Sequence, residues 1–427
     1  MTKIVGVIGR RVWDSRGRPT VEAEVALASG AVGRAIAPAG ASTGSGEAID
    51  LRDGGAAFGG YDVKRAVAAV NGEIAAALRG RDVSDQADID HRLIELDGTP
   101  NKARLGGNAL IAVSLAVAHA NAAAKKVPLW QALGAKAPRI PMPEIQIVGG
   151  GAHASRRVDL QDFMAMPVGA RDFAEALDWV AETYRAAGAL FAEKGSLRGV
   201  ADEGGFWPEV ERNEEAIELV VRAIEKAGLK PGTQVALSLD IASTQFRGKD
   251  GYRLARDGRT LSRETLIEML LSWLKAYPIC AIEDPVAEDD VDGMAAFTRA
   301  AKDRAIVIGD DFLVTNAARI ASAAAKGACT AALIKPNQAG TVTETKAAFD
   351  AARKVGWTTI VSARSGESED VSIAHLAAGW GADVLKVGSF TRSERMAKWN
   401  EVLRIAEAPG AVFAGWRFTS SSSCRAS

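Results

Sequence analysis

The chain has 427 residues, 48% of them hydrophobic and 25% charged, with a formal net charge of −1. That is an ordinary globular balance, long enough for one large domain and a smaller one, and it gives no electrostatic reason to expect nucleic acid or an anionic membrane as partner. Three scattered cysteines form no CxxC pair; Cys280 and Cys329 lie in apolar runs and Cys424 near the end, so a reducing cytoplasm is expected.

The first residues, MTKIVGVIGRRVWDSRG, lack a signal-peptide pattern. VEAEVALASG and AVGRAIAPAG (21–40) read as a hairpin: Val21, Ala23, Val25 and Leu27 alternate with Glu22 and Glu24, and Ser29-Gly30 supplies the turn. PAGASTGSGEA (38–48) has no apolar anchor; it reads either as a surface loop or as a lid whose small residues absorb the dihedral changes of closure. ALIAVSLAVAHANAAAKK (109–126) is interrupted by Ser114, His119 and Asn121, a poor membrane span and a reasonable buried helix. PRIPMPEIQ (138–146) marks a domain boundary, dividing residues 1–137 from 138–427.

Beyond residue 145 the chain becomes rhythmic. Short apolar runs end in charge: VALSLD (235–240), CAIED (280–284), AIVIGDD (305–311), AALIK (331–335), TTIVSAR (358–364) and ADVLK (382–386). In the segment 212–230, Ile217, Val220, Val221 and Ile224 recur at helical spacing and Gly228 is a natural stop. Buried parallel strands alternating with amphipathic helices predict an α/β protein built on a (β/α) barrel, with its active site at the C-terminal strand ends where these charges fall. The serine-rich tail TSSSSCRAS reads as frayed.

Asp240, Glu283 and Asp310 each end an apolar run. Gathered at one barrel mouth they repel one another unless a cation sits between them, and oxygen-only ligands favour Mg²⁺ over the alternative that each merely caps a turn. Lys335 and Lys386 also end strands; beside other cations an ammonium pKa falls, which makes such a lysine usable as a base. Asp202 and Glu203 precede a glycine pair that lets the backbone crowd a ligand, and His153 sits in a Gly-rich loop, as a structural histidine or a ligand contact. In RSGESED, Arg364 and Ser365 are donors suited to an anion.

Taken together, VWDSRGRPTVEAEV, GASTG, DGTPNKARLGGNA, ADEGGF, LSLDIAS, IEDPVAEDD, GDDFLVTN, LIKPNQAGT, RSGESED and RSERMAKWNEVLRI closely resemble enolase over nearly the whole chain. The resemblance implies an enolase-type modified (β/α)8 barrel (138–427) with an N-terminal α+β capping domain (1–137), and a homodimer or higher homo-oligomer. It also implies Mg²⁺-dependent dehydration of 2-phosphoglycerate to phosphoenolpyruvate, with two Mg²⁺ per site, the second arriving with substrate. By position, Asp240, Glu283 and Asp310 match the ligands of the first Mg²⁺, and Ser42 the lid residue that reaches the second. Lys335 matches the α-proton base, and Glu203, with Asp162 as its partner, the acid that assists loss of the 3-hydroxyl. Lys386, Arg364, Ser365, His153 and Gln161 match substrate-binding positions; Arg364 and Ser365 are the phosphate binders.

The chain departs from enolase at specific places. Ala363 stands where enolases carry a substrate-contacting histidine, Asp162 where they carry glutamate, Gln245 for glutamate, Ala39 for serine, Gly149 for asparagine, and His375 for aspartate. Arg156 and Arg157 add two cations to the His153 loop. The α-proton machinery is kept and the hydroxyl and phosphoryl ends are altered. This is similar to carboxyphosphonoenolpyruvate synthases, cytoplasmic enolase relatives of phosphinothricin-type antibiotic pathways, whose second substrate is a nucleotide conjugate of the CMP-phosphonoformate type. An ordinary phosphopyruvate hydratase and a non-catalytic enolase-fold protein are the alternatives.

Overall fold

The apolar runs after residue 140 close into an eight-stranded barrel. In the computed structural model, which describes residues 2–416, the barrel strands are β4 (Met142–Gly149), β5 (Asp162–Met166), β6 (Ala236–Asp240), β7 (Ile279–Glu283), β8 (Ile306–Gly309), β9 (Ala331–Ile334), β10 (Thr358–Ser362) and β11 (Val384–Ser389). They follow one another around the barrel in chain order, β11 closing against β4. All six runs read from the sequence are strands of this barrel. The Ser-rich tail and Cys424 lie outside the described residues.

One strand corrects the all-parallel expectation. β5 runs antiparallel to both β4 and β6, because β4 and β5 are joined by residues 150–161 without a crossover helix, and a short connection returns a strand antiparallel. The reversal matters for chemistry: the first residue of β5, Asp162, lies beside Asp240, the last residue of β6. Its start therefore belongs to the same mouth as the other strands' ends.

Along the strands, period-two alternation sends every second side chain into the barrel. Met142, Met166, Ala236, Ala281, Ile308 and Leu333 pack an apolar floor. Two residues further along β4 and β6 the layer turns polar, with Glu144 and Ser238, and the mouth above carries Gln146 and Asp240.

Ahead of the barrel, β1 (Ile4–Trp13), β2 (Pro19–Leu27) and β3 (Val32–Ile36) form an antiparallel sheet. The expected hairpin is β2–β3, with Val21, Ala23, Val25 and Leu27 buried and Gly30 at φ 84° in the turn. The sheet packs on α1 (Gly107–Lys125), and Gly33 permits the approach: a Cβ there would stand 2.1 Å from Ala116 O and Ala120 N. α1 is long and apolar enough to cross a membrane by length and composition, but 83% of its most apolar window is buried inside the protein. Being apolar all round, it is a core helix between the sheet and the rest of the chain. Polar ties fix this unit to the barrel: Asp90 accepts from Thr343 N at 2.9 Å and Ser114 Oγ from Val342 N at 2.9 Å.

The helix read at 212–230 is α2 (Asn213–Lys226), with Ile217, Val220 and Ile224 buried and Val221 partly so. Two further helices back the last strands, α3 (Ser372–Trp380) and α4 (Ser393–Ala406). On α3, His375 is buried with Nε2 3.2 Å from Glu401 Oε1 of α4, while His119 of α1 meets Ser372 Oγ at 2.8 Å.

Burial, reinforced by His119 and opposed by Glu401 and Asp370, lowers the His375 pKa to about 4. The folded ring stays neutral while the unfolded chain protonates near 6.5, so stability is complete above that pH and is lost as pH falls toward 4. Urea unfolding between pH 7 and 4.5 should show a loss attributable to this ring of about 1–3 kcal/mol, and His375→Asn should flatten the slope by that amount. An unchanged slope in the variant would show that the ring does not couple to folding.

Candidate active site

Each charged residue expected at the mouth owes its place to strand geometry. Asp240 and Glu283 are the last residues of β6 and β7 and stand side by side in register. Asp310 and Lys335 follow β8 and β9 by one residue. Lys386 differs from the sequence reading: it is the third residue of β11, not its end, paired in register with Ser362 on one side and Glu144 on the other. All the carboxylates are buried, Asp162 at 1%, Asp240 at 2%, Glu283 at 0% and Asp310 at 3% exposure.

The lysines sit among these carboxylates. Lys386 Nζ lies 2.7 Å from Glu283 Oε2, 3.2 Å from Asp240 Oδ2 and 3.9 Å from Asp162 Oδ2. Lys335 Nζ donates to Asp310 Oδ2, whose other oxygen accepts from Gln338 Nε2 at 3.0 Å. Gln161 Nε2 donates to Asp240 Oδ2 at 2.9 Å. Burial, with Asp240 and Asp310 nearby, drives the Glu283 pKa well up against the pull of Lys386. For Lys335 the expected direction is reversed. Burial, Arg364 and Lys386 do push its pKa down, but the carboxylates around it, Asp310 in direct contact and Glu283 nearby, together prevail and the net shift is upward.

A second cluster occupies the start of β5. His153, 6% exposed, places Nδ1 3.0 Å from Asp162 Oδ1 and Nε2 3.8 Å from Glu203 Oε1. Gln146 also donates to Asp162 Oδ1. Burial works against charge on the imidazole, but Asp162 and Glu203 prevail and raise its pKa to about 9. The ring is thus a cation held between two carboxylates, neither a bystander nor a lone core histidine. Asp162, Glu203 and His153 bring one ligand atom each within 4.8 Å of one another, as do Asp284, Asp310 and Asp311.

Around β10 the RSGESED loop turns Arg364 inward at 4% exposure. Its guanidinium donates to Glu47 Oε2 at 2.9 Å, Asn337 Oδ1 at 3.1 Å and Ser42 O at 2.7 Å. The loop is fixed from beneath by two fully buried cations of α4. Arg395 donates to Arg364 O and Ser365 O, and Lys398 Nζ lies 2.9 Å from Glu367 Oε2 and 2.7 Å from Ser368 O. Glu367 in turn accepts from Arg364 N at 3.0 Å.

Residues 38–48 lie over this mouth. Ala39 pairs with Gly366 through two backbone hydrogen bonds, Ala41 N donates to Ser365 Oγ at 2.7 Å, and Ser42 Oγ donates to Asp311 Oδ2 at 3.1 Å. Gly40 must be glycine, since a Cβ would stand 2.0 Å from Arg364 Nη2. Beneath lies a small cavity of about 20 Å³ bordered by Ser42, His153, Glu203, Lys335, Ala363 and Lys386, with Gln161, Asp162, Asp240, Arg364 and Ser365 completing the wall. Glu283 and Asp310 stand behind it, on the lysines. The structure therefore gathers the expected residues at one mouth. Arg156 and Arg157 do not border this cavity: Arg157 lies over Trp207 and 3.9 Å from Glu209, and Arg156 borders a separate pocket.

Sequence comparison agrees with this arrangement. The family described as Enolase, N-terminal domain matches residues 4–133, and Enolase, C-terminal TIM barrel domain matches residues 137–422. The chain belongs to the enolase family.

An enolase-family site generally employs Mg²⁺, and the donors here fit a hard cation: oxygen ligands, like charges crowded in a buried space, and Glu283 Oε1 and Asp162 Oδ2 with no hydrogen-bond partner. Five contributors escaped the sequence reading. Glu47 anchors Arg364; Asp284 accepts from the backbone N–H of Asp310 and Asp311 at 3.0 and 2.8 Å; Lys398 and Arg395 hold the loop. Glu144, fully buried below the mouth, has both carboxylate oxygens without a hydrogen bond, and burial raises its pKa against the pull of Lys386. A glutamate inside the apolar run PMPEIQIV is the visible signal for it.

Removing one partner of the buried Lys398–Glu367 pair strands the other charge. Lys398→Met should lower stability by about 3–5 kcal/mol in urea unfolding, and adding Glu367→Gln should recover part of that loss. A single variant as stable as the parent would contradict the anchoring role.

Proposed function

We propose that this enolase-family enzyme abstracts the α-proton of 2-phosphoglycerate and forms an enolpyruvate ester in the manner of a carboxyphosphonoenolpyruvate synthase, in phosphonate antibiotic biosynthesis. The supporting observation is Ala363. It borders the cavity between Arg364, Ser365 and Lys386, where enolases carry an imidazole. A missing donor beside a phosphoryl group only costs a conventional hydratase, both in binding and in water exclusion. The space is useful when the phosphoryl end carries a further substituent.

In this reading Asp240, Glu283 and Asp310 would hold the first Mg²⁺ and Ser42 would contribute to the second, in place of the contacts that Lys386 and Lys335 make with those carboxylates. Mg²⁺ bound there would supply positive charge against the substrate carboxylate, as in enolase-superfamily sites generally, where a lysine or histidine base works beside one or two such ions. Relieved of Asp310, Lys335 loses the contact that raises its pKa, and its neutral amine takes the proton α to the carboxylate. Glu203 delivers a proton to the departing 3-hydroxyl, which leaves as water; the C2 oxygen then exchanges its phosphoryl group, released to that water as inorganic phosphate, for the phosphonoformyl group of the conjugate, whose nucleoside monophosphate leaves. His153, charged between Asp162 and Glu203, holds that pair in position. Arg364 and Ser365 hold the phosphoryl group, Arg364 exchanging Glu47 for it.

Ordinary phosphopyruvate hydration is the second reading. It is favoured by the size of the cavity, about 20 Å³ with residues 38–48 seated over it, which admits no bulky group until that loop moves.

Turnover of 2-phosphoglycerate with and without CMP-phosphonoformate separates the two: an ester product that requires the conjugate is expected, whereas phosphoenolpyruvate alone at full rate would favour the hydratase. Lys335→Ala should abolish exchange of the 2-phosphoglycerate α-proton with deuterated solvent while leaving Mg²⁺ binding intact; undiminished exchange would remove Lys335 as the base. Ala363→His should block the conjugate and spare 2-phosphoglycerate, and equal handling of both by variant and parent would make the gap incidental.

A further inference from the structure

Beside the loop that carries His153 lies a separate pocket of about 410 Å³, lined by Arg156, Gln245, Phe246, Arg247 and Arg253 around Asp159. It is built by the loop between β4 and β5 and by a small three-stranded sheet, Arg247–Gly248, Gly251–Leu254 and Arg259–Leu261, that follows β6. Its charge is unbalanced. Arg247 pairs with Asp289, but Arg156 and Arg253 have no ion pair or side-chain hydrogen bond among the described residues. Asp159 does not offset them by direct contact, because its oxygens accept from Ala255 N at 2.9 Å, Arg256 N at 3.0 Å and Asn213 Nδ2 at 2.9 Å. Two guanidiniums therefore face a cavity in a chain whose net charge is only −1. Unpaired guanidiniums in a concave site are suited to phosphate.

The pocket shares a wall with the catalytic chamber. Gln245 lines it, accepts from Ala152 N at 3.1 Å and donates to Gln161 Oε1, and Gln161 Nε2 donates to Asp240. Those two amides link the pocket's lining to the mouth. Gln245 stands where enolases have glutamate; a carboxylate in this wall would repel an anion, and the amide does not. Phe246, partly buried and packed edge-on to Tyr252 with centroids 6.1 Å apart, supplies an aromatic surface. The volume lies within the 300–1,000 Å³ typical of small-molecule sites and far exceeds what inorganic phosphate fills.

We propose that this pocket binds a nucleoside 5′-monophosphate group, with Arg156 and Arg253 on the phosphate and Phe246 under the base. The proposal rests on the two-substrate reading above, for which it supplies the seat of the nucleotide half. The gap beside Ala363 then takes the phosphonoformyl end of the conjugate, and the nucleotide end reaches past the Gln245–Gln161 pair on the His153 side of the mouth.

Calorimetric titration of the full chain with cytidine 5′-monophosphate, ribose 5-phosphate and inorganic phosphate tests it. Affinity should fall in that order. The Arg156→Ser/Arg253→Ser double variant should weaken cytidine monophosphate by about tenfold or more, and Phe246→Leu should weaken it without affecting ribose 5-phosphate. Arg304→Ser, exposed at the opposite end of β8, should change nothing. No binding to the parent, or equal binding to the double variant, overturns the proposal. The two readings fail differently. If the nucleotide binds as described but the nucleotide conjugate gives no product with 2-phosphoglycerate, the two-substrate function falls and the pocket stands. If product forms and the double variant keeps the parent's KM for the conjugate, the pocket falls and the function stands.

Discussion

Everything at the barrel mouth depends on how buried negative charge is neutralised. Glu144, Asp162, Asp240, Glu283, Asp284, Asp310 and Asp311 are all buried within one end of the barrel, against the inward cations Lys335, Lys386, Arg364 and the His153 ring. Charges taken out of water cost several kcal/mol each unless paired and hydrogen-bonded. The structure meets that cost by placing each lysine on the carboxylates themselves, by turning Asp284 onto backbone amides, and by leaving Glu144 where burial favours its neutral form. The same crowding that is expensive for folding is what suits the mouth to a divalent cation. Ligand set and electrostatic strain are one arrangement.

The constraint propagates outward. Arg364 faces the mouth with its carbonyl held from below by Arg395, its N–H by Glu367, which Lys398 pairs, and its side chain by Glu47 from the N-terminal unit. Residues 38–48 complete the enclosure through backbone pairing with Gly366. The capping unit is therefore part of the site, supplying Glu47, Ser42 and the Gly40 backbone, while the barrel supplies the buried carboxylates, the two lysines and Arg364. The Gln245–Gln161 pair joins this site to the lining of the neighbouring basic pocket.

Much of this is legible in the sequence because burial and charge alternate on a short length scale. Apolar runs ending in Asp240, Glu283, Asp310 and Lys335 announce strands and their mouth together. The reversal of β5 is not legible: DFMAM is as apolar as its neighbours, and strand direction leaves no mark in a period-two pattern. Lys386 looks terminal because ADVLK stops there, yet the strand continues through glycine and serine. Arg395 and Lys398 belong to a helix rich in charge, where a buried cation and a solvated one share the same letter. The upward shift of Lys335 runs against the sequence expectation because its cationic neighbours are visible in sequence, whereas its direct contact with Asp310 is a tertiary fact.

The central claim is that the buried carboxylates of the mouth form a divalent-cation site at the expense of their lysine partners. Thermal unfolding of the parent and of Glu283→Gln, each with Mg²⁺ and with chelator, tests it most directly. A ligand that binds only the folded state raises the midpoint with concentration. The account predicts a saturable rise with Mg²⁺ in the parent that is lost in Glu283→Gln. A parent indifferent to Mg²⁺, or a variant that responds equally, would contradict it.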